Sequence, residues 1–388
     1  MGRNVAIHGF LAAAILILST TSAAAEISFK EMFTDPADGA FDMSRFIKTR
    51  TGFVPILAPI TEPAVGYGAA GGLIFFHRGV GEPPPEPSPA REGRMIPPSL
   101  TVVAGFGTEN GSWGAFGGHR GVWKEDRIRY IGGLGYADLQ LTFYGTMPQT
   151  SGISRDVEIR TVPFLQDLDV RIPGSDFFVG LRYTFVSSDI TFKPGRSLPG
   201  VTDRVWTGNS KNGGLIPYLK YDSTDNFFTP NRGIHAKASL GVFDEIFGGD
   251  YDYREFHAKA VGYWPVLPNV VAGLRVDGQF IAGEAPFYAL PFVQLRGIPA
   301  LRYQGTDVLT LETEERWMVT PRWGVVGFAG IGKAAGGFVA LQDAETVWKA
   351  GGGFRYFTAR EFGLQMGVDV ARGPEQWAIY VVFGNSWN

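Results

Sequence analysis

The chain has 388 residues, no cysteine, a formal net charge of −3 and a mean hydropathy of +0.01. The absence of cysteine excludes disulfides, thiolate metal sites and cysteine nucleophiles, and the weakly acidic balance excludes the basic footprint of a nucleic-acid-binding protein. The composition is rich in glycine, with 53 residues, and in aromatic residues, with 30 Phe, 14 Tyr and 9 Trp, which favours a β-rich chain.

The first 25 residues are predicted to be a secretory signal peptide. Arg3 supplies the positive charge, residues 5–18 form an apolar stretch, and residues 23–25 are a small-residue cleavage site. Beyond this segment no apolar run of about 18 residues remains, so a helical membrane protein is excluded. Export without a helical span leaves either a soluble exported protein or a closed barrel in the outer membrane.

Alternation with a period of two residues decides between these classes. In the C-terminal segment one predicted apolar face consists of Trp377, Ile379, Val381, Phe383 and Trp387. Alternation alone also fits a soluble sandwich. However, the apolar faces are long and carry aromatic residues near their ends, and the opposite faces mix glycine with charged residues. We therefore predict an all-β fold, a transmembrane antiparallel β-barrel with a wet lumen.

The same pattern predicts fifteen strands along the chain. In order, they are residues 64–78, 96–108, 112–124, 127–140, 156–172, 176–190, 213–222, 233–247, 252–264, 269–283, 307–320, 323–334, 346–357, 361–373 and 376–388. Because single-chain bacterial barrels have an even number of strands, we predict sixteen, with the missing one in residues 40–62 or 141–172.

The predicted organisation has three parts. Residues 1–25 are the signal peptide, residues 26–62 a short periplasmic segment, and residues 63–388 the barrel. The proline-rich, charged stretch at 81–94 is predicted to be a solvated loop.

Three segments within residues 213–388 carry a family resemblance. They read YDSTDNFFTPNRGIHAKASL from residue 221, PFVQLRGIPALRYQG from residue 291 and LETEERWMVTPRWGVVGFAGIGKA from residue 311. In order and spacing they resemble the BamA/TamA superfamily of outer-membrane barrels, the bacterial surface antigen family. The first is similar to its periplasmic strand-turn-strand motif, the second to its RGF/RGY loop motif, and the third to its ExR and FxDxG strands.

The resemblance implies a sixteen-stranded barrel with an inward-folded loop at residues 284–306. A loop arginine, Arg296, followed by Gly297, is then expected to meet carboxylates in the lumen. The lumenal partners are predicted to be Glu312, Glu314 and Arg316, which lie two residues apart and so share one strand face. Gly330 stands where the family has Asp, so we expect Glu314 to carry more of the contact with Arg296.

The resemblance also assigns roles at both ends of the barrel. The periplasmic turn motif is predicted to consist of Asp222, Asp225, Asn226, Pro230, Arg232 and Gly233, with Thr224 where the family often has Arg. The motif lacks EF-hand spacing, so a turn closed by Asx side chains is expected rather than a calcium site. The predicted C-terminal assembly signal is Tyr380, Phe383 and Trp387.

The first and last strands of the family barrel meet at a weak seam. Here the seam is predicted to join residues 64–78 to residues 376–388, where the glycine-rich stretch at 66–71 would pair loosely. That stretch also matches GxGxxG, but it lacks the βαβ context of a nucleotide site. Residues 26–62 are too few for a periplasmic POTRA domain, so the resemblance is to barrel-only members of the family.

The functional prediction is therefore a non-enzymatic barrel that inserts or moves a macromolecule, protein or lipid, at the bacterial outer membrane. The predicted partners are outer-membrane lipid and an unfolded protein or lipid substrate, without nucleic acid, nucleotide, metal or other cofactor. No catalytic residue is predicted, since no GxSxG elbow or paired histidine motif occurs in the sequence. The alternatives are a passive, porin-like solute channel and a structural surface antigen.

Overall fold

The computed structural model describes residues 29–49, 52–61, 64–77, 96–144, 154–193, 206–336 and 339–387. The predicted signal peptide at 1–25 and the proline-rich loop at 81–94 lie outside these residues. Two short helices, α1 (Phe29–Met32) and α2 (Ser44–Thr49), precede the strands. In the described part of the chain, no helix has the length and apolar character needed to cross a membrane.

Within the described residues, sixteen strands form one antiparallel sheet in which every strand pairs with its neighbour in sequence. They are β1 (Gly52–Ile60), β2 (Gly68–Phe76), β3 (Leu100–Thr108), β4 (Trp113–Trp123), β5 (Ile128–Tyr144), β6 (Ser154–Arg171), β7 (Phe177–Phe192), β8 (Trp206–Asp222), β9 (Gly233–Phe243), β10 (Tyr253–Leu267), β11 (Val270–Gly283), β12 (Asp307–Met318), β13 (Trp323–Ala335), β14 (Val347–Ala359), β15 (Leu364–Arg372) and β16 (Trp377–Phe383). The predicted all-β barrel of sixteen strands is confirmed.

The barrel wall has its charged face inside and its apolar face outside. Along β12 the outward residues Leu309 and Leu311 are both 42% exposed, whereas the inward Glu312 is only 1% exposed. This is the reverse of a water-soluble protein, in which large apolar residues are buried and charged ones face water. An apolar outer surface around a polar interior is the arrangement that a barrel adopts in a lipid bilayer.

The strand missing from the sequence prediction is β1. It lies within residues 40–62, the first of the two places where the sequence allowed it. The predicted periplasmic segment at residues 26–62 is therefore too long, because the barrel begins at Gly52. Pro55 and Pro59 interrupt the alternating pattern of this strand, which explains why the sequence did not reveal it.

Because β1 was missed, the prediction that residues 64–78 form the first strand of the seam is also wrong. The predicted first strand is β2, which pairs on both sides, with β1 and with β3. The edge strands are β1 and β16, which contact each other but form no ladder within the described residues. The glycine-rich stretch at 66–71 thus runs into a paired strand, and the seam contains the two prolines of β1 instead.

The two ends of the barrel differ. We call one the turn end, where short connections such as 124–127, 172–176 and 319–322 join the strands and where β1 begins and β16 ends. We call the other the loop end, which includes the connection at 284–306. Four strands, β5 to β8, are 16–18 residues long. A membrane-spanning strand needs about 9–11 residues, so this side of the barrel extends beyond the bilayer.

Candidate functional site

The connection between β11 and β12, residues 284–306, folds into the barrel. Its middle is apolar, and Val293, Leu295 and Ile298 are only 1, 5 and 4% exposed. These side chains pack against the inner faces of β12 and β14. Burial of apolar area contributes about 25 cal/mol per Å², so hydrophobic packing helps to hold this inward loop in the lumen.

Arg296 forms the polar anchor of the inward loop. Its Nη2 donates to Glu312 Oε1 at 2.9 Å and to Glu314 Oε2 at 2.7 Å, and its Nη1 donates to Asp369 Oδ2. The guanidinium also lies 3.6 Å from the centroid of the Phe328 ring. With 11% of the side chain exposed, these are charge-assisted contacts in a water-poor site, which are stronger than the same pairs at a surface.

Asp369 on β15 is a partner that the sequence did not single out. Glu314 contacts Arg296 as expected, and Asp369 supplies a third carboxylate that shares the compensation for Gly330. Gly330 instead leaves room for a neighbour, since a Cβ at this position would lie 3.1 Å from Lys349 Cε. Lys349 is fully buried and binds Glu312. The only sequence signal for Asp369 was its place on the polar face of a predicted strand.

Arg316 shares the inner face of β12 with Glu312 and Glu314, as predicted, but it binds the β8–β9 turn and not the inward loop. Its Nη2 donates to Pro230 O at 2.8 Å and to Asn231 Oδ1 at 2.7 Å. Arg316 lies two residues after Glu314 on β12 and is therefore closer to the turn end of the barrel. From there its side chain reaches the β8–β9 turn instead of the inward loop. It therefore connects two of the sequence motifs, the third and the first.

The β8–β9 turn is closed by its own polar side chains. Asp225 Oδ1 accepts from the backbone N–H of Asn231 and Arg232, at 2.9 and 3.2 Å. Asn226 accepts from two backbone N–H groups of the turn and donates to Phe362 O at 3.0 Å. Gly233 has a φ of +107°, where its Cβ-free backbone is needed. These contacts fit an Asx-closed turn.

Two further residues of the turn motif lie at its inner side. Asp222, at the end of β8, accepts from Arg129 Nη1 on β5 at 2.7 Å, and Pro230 is buried. The side chain of Asp222 thus points into the lumen and connects the turn to β5. Among the described residues, no group of three or more His, Asp or Glu side chains is arranged to hold a metal ion.

The C-terminal residues divide between the two faces of the barrel. Phe383 is 44% exposed on the outer face, whereas the hydroxyl of Tyr380 accepts from the backbone N–H of Gly297 at 2.9 Å inside it. Trp387 was predicted to share the outer apolar face, and this is wrong, since it is 3% exposed within the lumen. Gly384, with a φ of +68°, turns the chain inward after β16.

A second arginine cluster, not predicted from the sequence, lies at the turn end. Arg322, in the β12–β13 turn, donates from Nε to Asp38, from Nη1 to Asp42 and from Nη2 to Asp35, at 2.7, 2.6 and 2.6 Å. These aspartates belong to residues 29–49, which we call the N-terminal strap. The strap is further held by Phe33 and Phe46, 5 and 2% exposed, in an apolar cluster with the β14–β15 turn.

The inward loop leaves the other half of the lumen open. A cavity of about 700 Å³ is lined mainly by strands β4 to β10, together with turns of the turn end. Its walls carry arginine, lysine, aspartate and histidine side chains. The barrel interior thus consists of a filled half along β12 to β16 and a polar, open half opposite it.

Comparison with known proteins finds one matching family domain and several solved structures with a similar fold. Residues 146–294 match the model of the Omp85 superfamily domain, a range that contains the first of the three motif segments. No curated protein sequence matches the chain significantly.

Solved structures match over most of the barrel. BamA from Haemophilus ducreyi, in a form lacking POTRA domains 1–3, has a TM-score of 0.57 at 11% identity and covers 86% of this chain and 70% of its own. CdiB from Escherichia coli has a TM-score of 0.57 at 13% identity, with 86% and 62% covered. CdiB from Acinetobacter baumannii has a TM-score of 0.54 at 8% identity, with 85% and 59% covered.

The chain thus spans less than two thirds of the length of both CdiB chains. At these identities the structural likeness establishes the fold. Together with the inverted barrel wall, it shows an outer-membrane β-barrel of sixteen strands, of which residues 146–294 match the Omp85 superfamily domain.

Proposed function

We propose that this barrel inserts or translocates a protein substrate at the outer membrane by opening between β1 and β16. The observation that carries the proposal is the seam: every other neighbouring pair of strands forms a ladder, and these two only contact each other within the described residues. Backbone groups left unpaired in lipid cost several kcal/mol each. An unpaired edge is therefore a place where an incoming strand gains hydrogen bonds.

The prolines of the barrel support a weak seam. In two interior strands a proline coincides with a gap in one ladder, since the β5–β6 register skips Pro163 and the β8–β9 register skips Pro217. The β1–β2 register runs without a gap through Pro55 and Pro59. Because they have the same parity along β1, their missing N–H groups lie on one edge, and we assign them to the edge that faces β16.

The inward loop supports a protein-handling barrel over a passive channel. It fills the half of the lumen beside β12 to β16, and Arg296 binds carboxylates from β12 and β15. The loop thereby fixes the wall next to the seam while β1 remains held mainly by β2. In this mechanism the chain needs no chemical step; lipid surrounds the outer face, and the turn end faces the periplasm, from which an unfolded substrate arrives.

Cysteine cross-linking can test the opening, because the natural sequence contains no cysteine. Leu57 on β1, 58% exposed, would be changed to Cys together with Trp377, Ile379 or Val381 on β16, and the pair that forms a disulfide retained. The assay is the folding of a denatured eight-stranded barrel protein into liposomes that contain this chain, followed by its heat-dependent gel shift. We expect the unlinked protein to accelerate folding and the oxidised seam to abolish the acceleration.

The matched control joins two strands that already form a ladder. Val370 and Ile379 are direct partners in the β15–β16 register, and their oxidation should leave the acceleration unchanged. Equal activity with a locked and a free seam would contradict lateral opening. Large, stable currents in planar bilayers without any acceleration of folding would instead support the passive channel.

A further inference from the structure

The open half of the lumen contains charges that the proposed function does not use. At the turn end of the cavity, three cations surround a buried ring and are joined by three carboxylates. The members of this group, the Phe178 cluster, are Phe178, Arg129, Arg171, Lys220, Asp126, Asp169 and Asp222. The three cationic groups lie 4.3 to 4.6 Å from the ring centroid, and each is paired with a carboxylate of the cluster. The three cations and three carboxylates of the cluster balance, and Arg171 also pairs with Asp176.

Arg120 on β4 lies beside this cluster but forms no direct pair with its carboxylates. Its guanidinium lies over the Phe227 ring, 4.3 Å from the centroid, and forms no ion pair or hydrogen bond with the described residues. Its Nε is buried without a hydrogen-bond partner. Arginine stays protonated in proteins, so Arg120 adds a positive charge without a direct ion pair to the wall of the cavity.

The surroundings of Arg120 favour an anionic ligand. A guanidinium that lines a polar cavity without a direct ion pair is stabilised by an anion that enters the cavity. The Phe227 ring fixes the plane of the guanidinium, which presents its N–H groups as a rigid fork matched to the oxygens of a phosphate. The neighbouring carboxylates are already bound to the cations of the Phe178 cluster, so they do not compete for Arg120.

We propose that Arg120 is the centre of a lumenal binding site for a phosphate group. The cavity of about 700 Å³ is much larger than a single ion and also has apolar lining from Ile96 and Pro97. It therefore has room for the substituents of a phosphodiester, as in a phospholipid headgroup, as well as for free phosphate. The site does not involve the seam, so a failure of this proposal would leave the proposed protein insertion untouched, and the reverse also holds.

Binding can be measured on the full chain in octyl tetraoxyethylene, a detergent without phosphate. Inorganic phosphate and glycerophosphoglycerol, the water-soluble headgroup of phosphatidylglycerol, would be titrated at constant ionic strength and followed by calorimetry. We expect Arg120→Gln to weaken phosphate binding about tenfold or more, since it removes a charge-assisted contact. Arg120→Lys, which keeps the charge but loses the fork, should weaken binding less.

The control is Arg160→Gln, because the Arg160 side chain is 56% exposed and already paired with Asp138 and Glu158. It should bind phosphate as the natural chain does, and the heat-dependent gel shift verifies that both variants are folded. Tighter binding of glycerophosphoglycerol than of phosphate would identify a headgroup site, and the reverse order a site for free phosphate. Equal phosphate affinity of the natural chain and Arg120→Gln, or equal losses in both Gln variants, would overturn the proposal.

Discussion

Two arginines of this barrel each bind three carboxylates, and the difference between their surroundings is instructive. Arg296 binds Glu312, Glu314 and Asp369 inside the lumen, where the carboxylate side chains are 1, 8 and 0% exposed. Arg322 binds three aspartates of the N-terminal strap at the turn end, where the carboxylates are 4 to 31% exposed. The first cluster is built into the wall, and the second attaches a separate segment to it.

This contrast implies different consequences of damage. Removal of a carboxylate from the lumenal cluster leaves an unpaired positive charge where water has little access. This lowers the free energy of unfolding of the whole barrel. A contact removed at the turn end frees a strap whose polar groups can return to water. We therefore expect global effects at Arg296 and local effects at Arg322.

The largest effect is expected from Asp369→Ala. Asp369 is fully buried and binds both Arg296 and Arg355, so its loss leaves two lumenal arginines undercompensated. Breaking a buried pair in this way costs about 3–5 kcal/mol, measured as a fall in the free energy of unfolding by urea in detergent micelles. Asp343→Ala, at an exposed position, is the control and should change it little. If Asp369→Ala lowers the free energy of unfolding by less than about 1 kcal/mol, this cluster contributes no more than an exposed ion pair, which contradicts the expectation.

The two clusters also differ in how far the sequence predicts them. Glu312 and Glu314 follow from alternation within β12, because a strand carries the signal for its own faces. Asp369 requires the register across β12 to β15, which no single strand contains. The Arg322 cluster joins residues about 280 positions apart in the chain, such as Asp42 and Arg322, and has no local pattern.

The errors in the fold prediction have equally local causes. The strand β1 was missed because Pro55 and Pro59 break its alternation, although both are tolerated at an edge. Trp387 was assigned to the outer face because the period of two was continued through Gly384. That glycine has a positive φ, so the backbone turns there and the face is not preserved.

A smaller, local effect is expected from Arg322→Gln. This substitution leaves Asp35, Asp38 and Asp42 without their shared partner, and local detachment of the strap should become easier by about 1–3 kcal/mol. Chymotrypsin cleavage within residues 29–49 should accelerate accordingly, while the urea unfolding of the barrel remains near that of the natural chain. Arg254→Gln, which breaks a mainly exposed pair with Asp252, should alter neither measurement. A global loss as large as that of Asp369→Ala would erase the distinction between the clusters.

The smallest effect is a pH dependence of the strap. The hydrogen bond from Arg322, followed by that from the backbone of Ala40, lowers the pKa of Asp38 from its ordinary 3.8 to about 2. Because the folded-state pKa is depressed, the stabilisation is present above pH 3.8 and is lost as the pH falls toward about 2.

Pepsin, which is active in this range, should therefore cleave residues 29–49 faster as the pH falls, relative to a free peptide of the same sequence. Asp38→Asn should flatten part of this profile, with the remainder due to Asp42, whose pKa is also lowered. Asp343→Asn should leave the profile intact, and an unchanged profile in Asp38→Asn would show that the apolar contacts of Phe33 and Phe46 hold the strap without help from its charges.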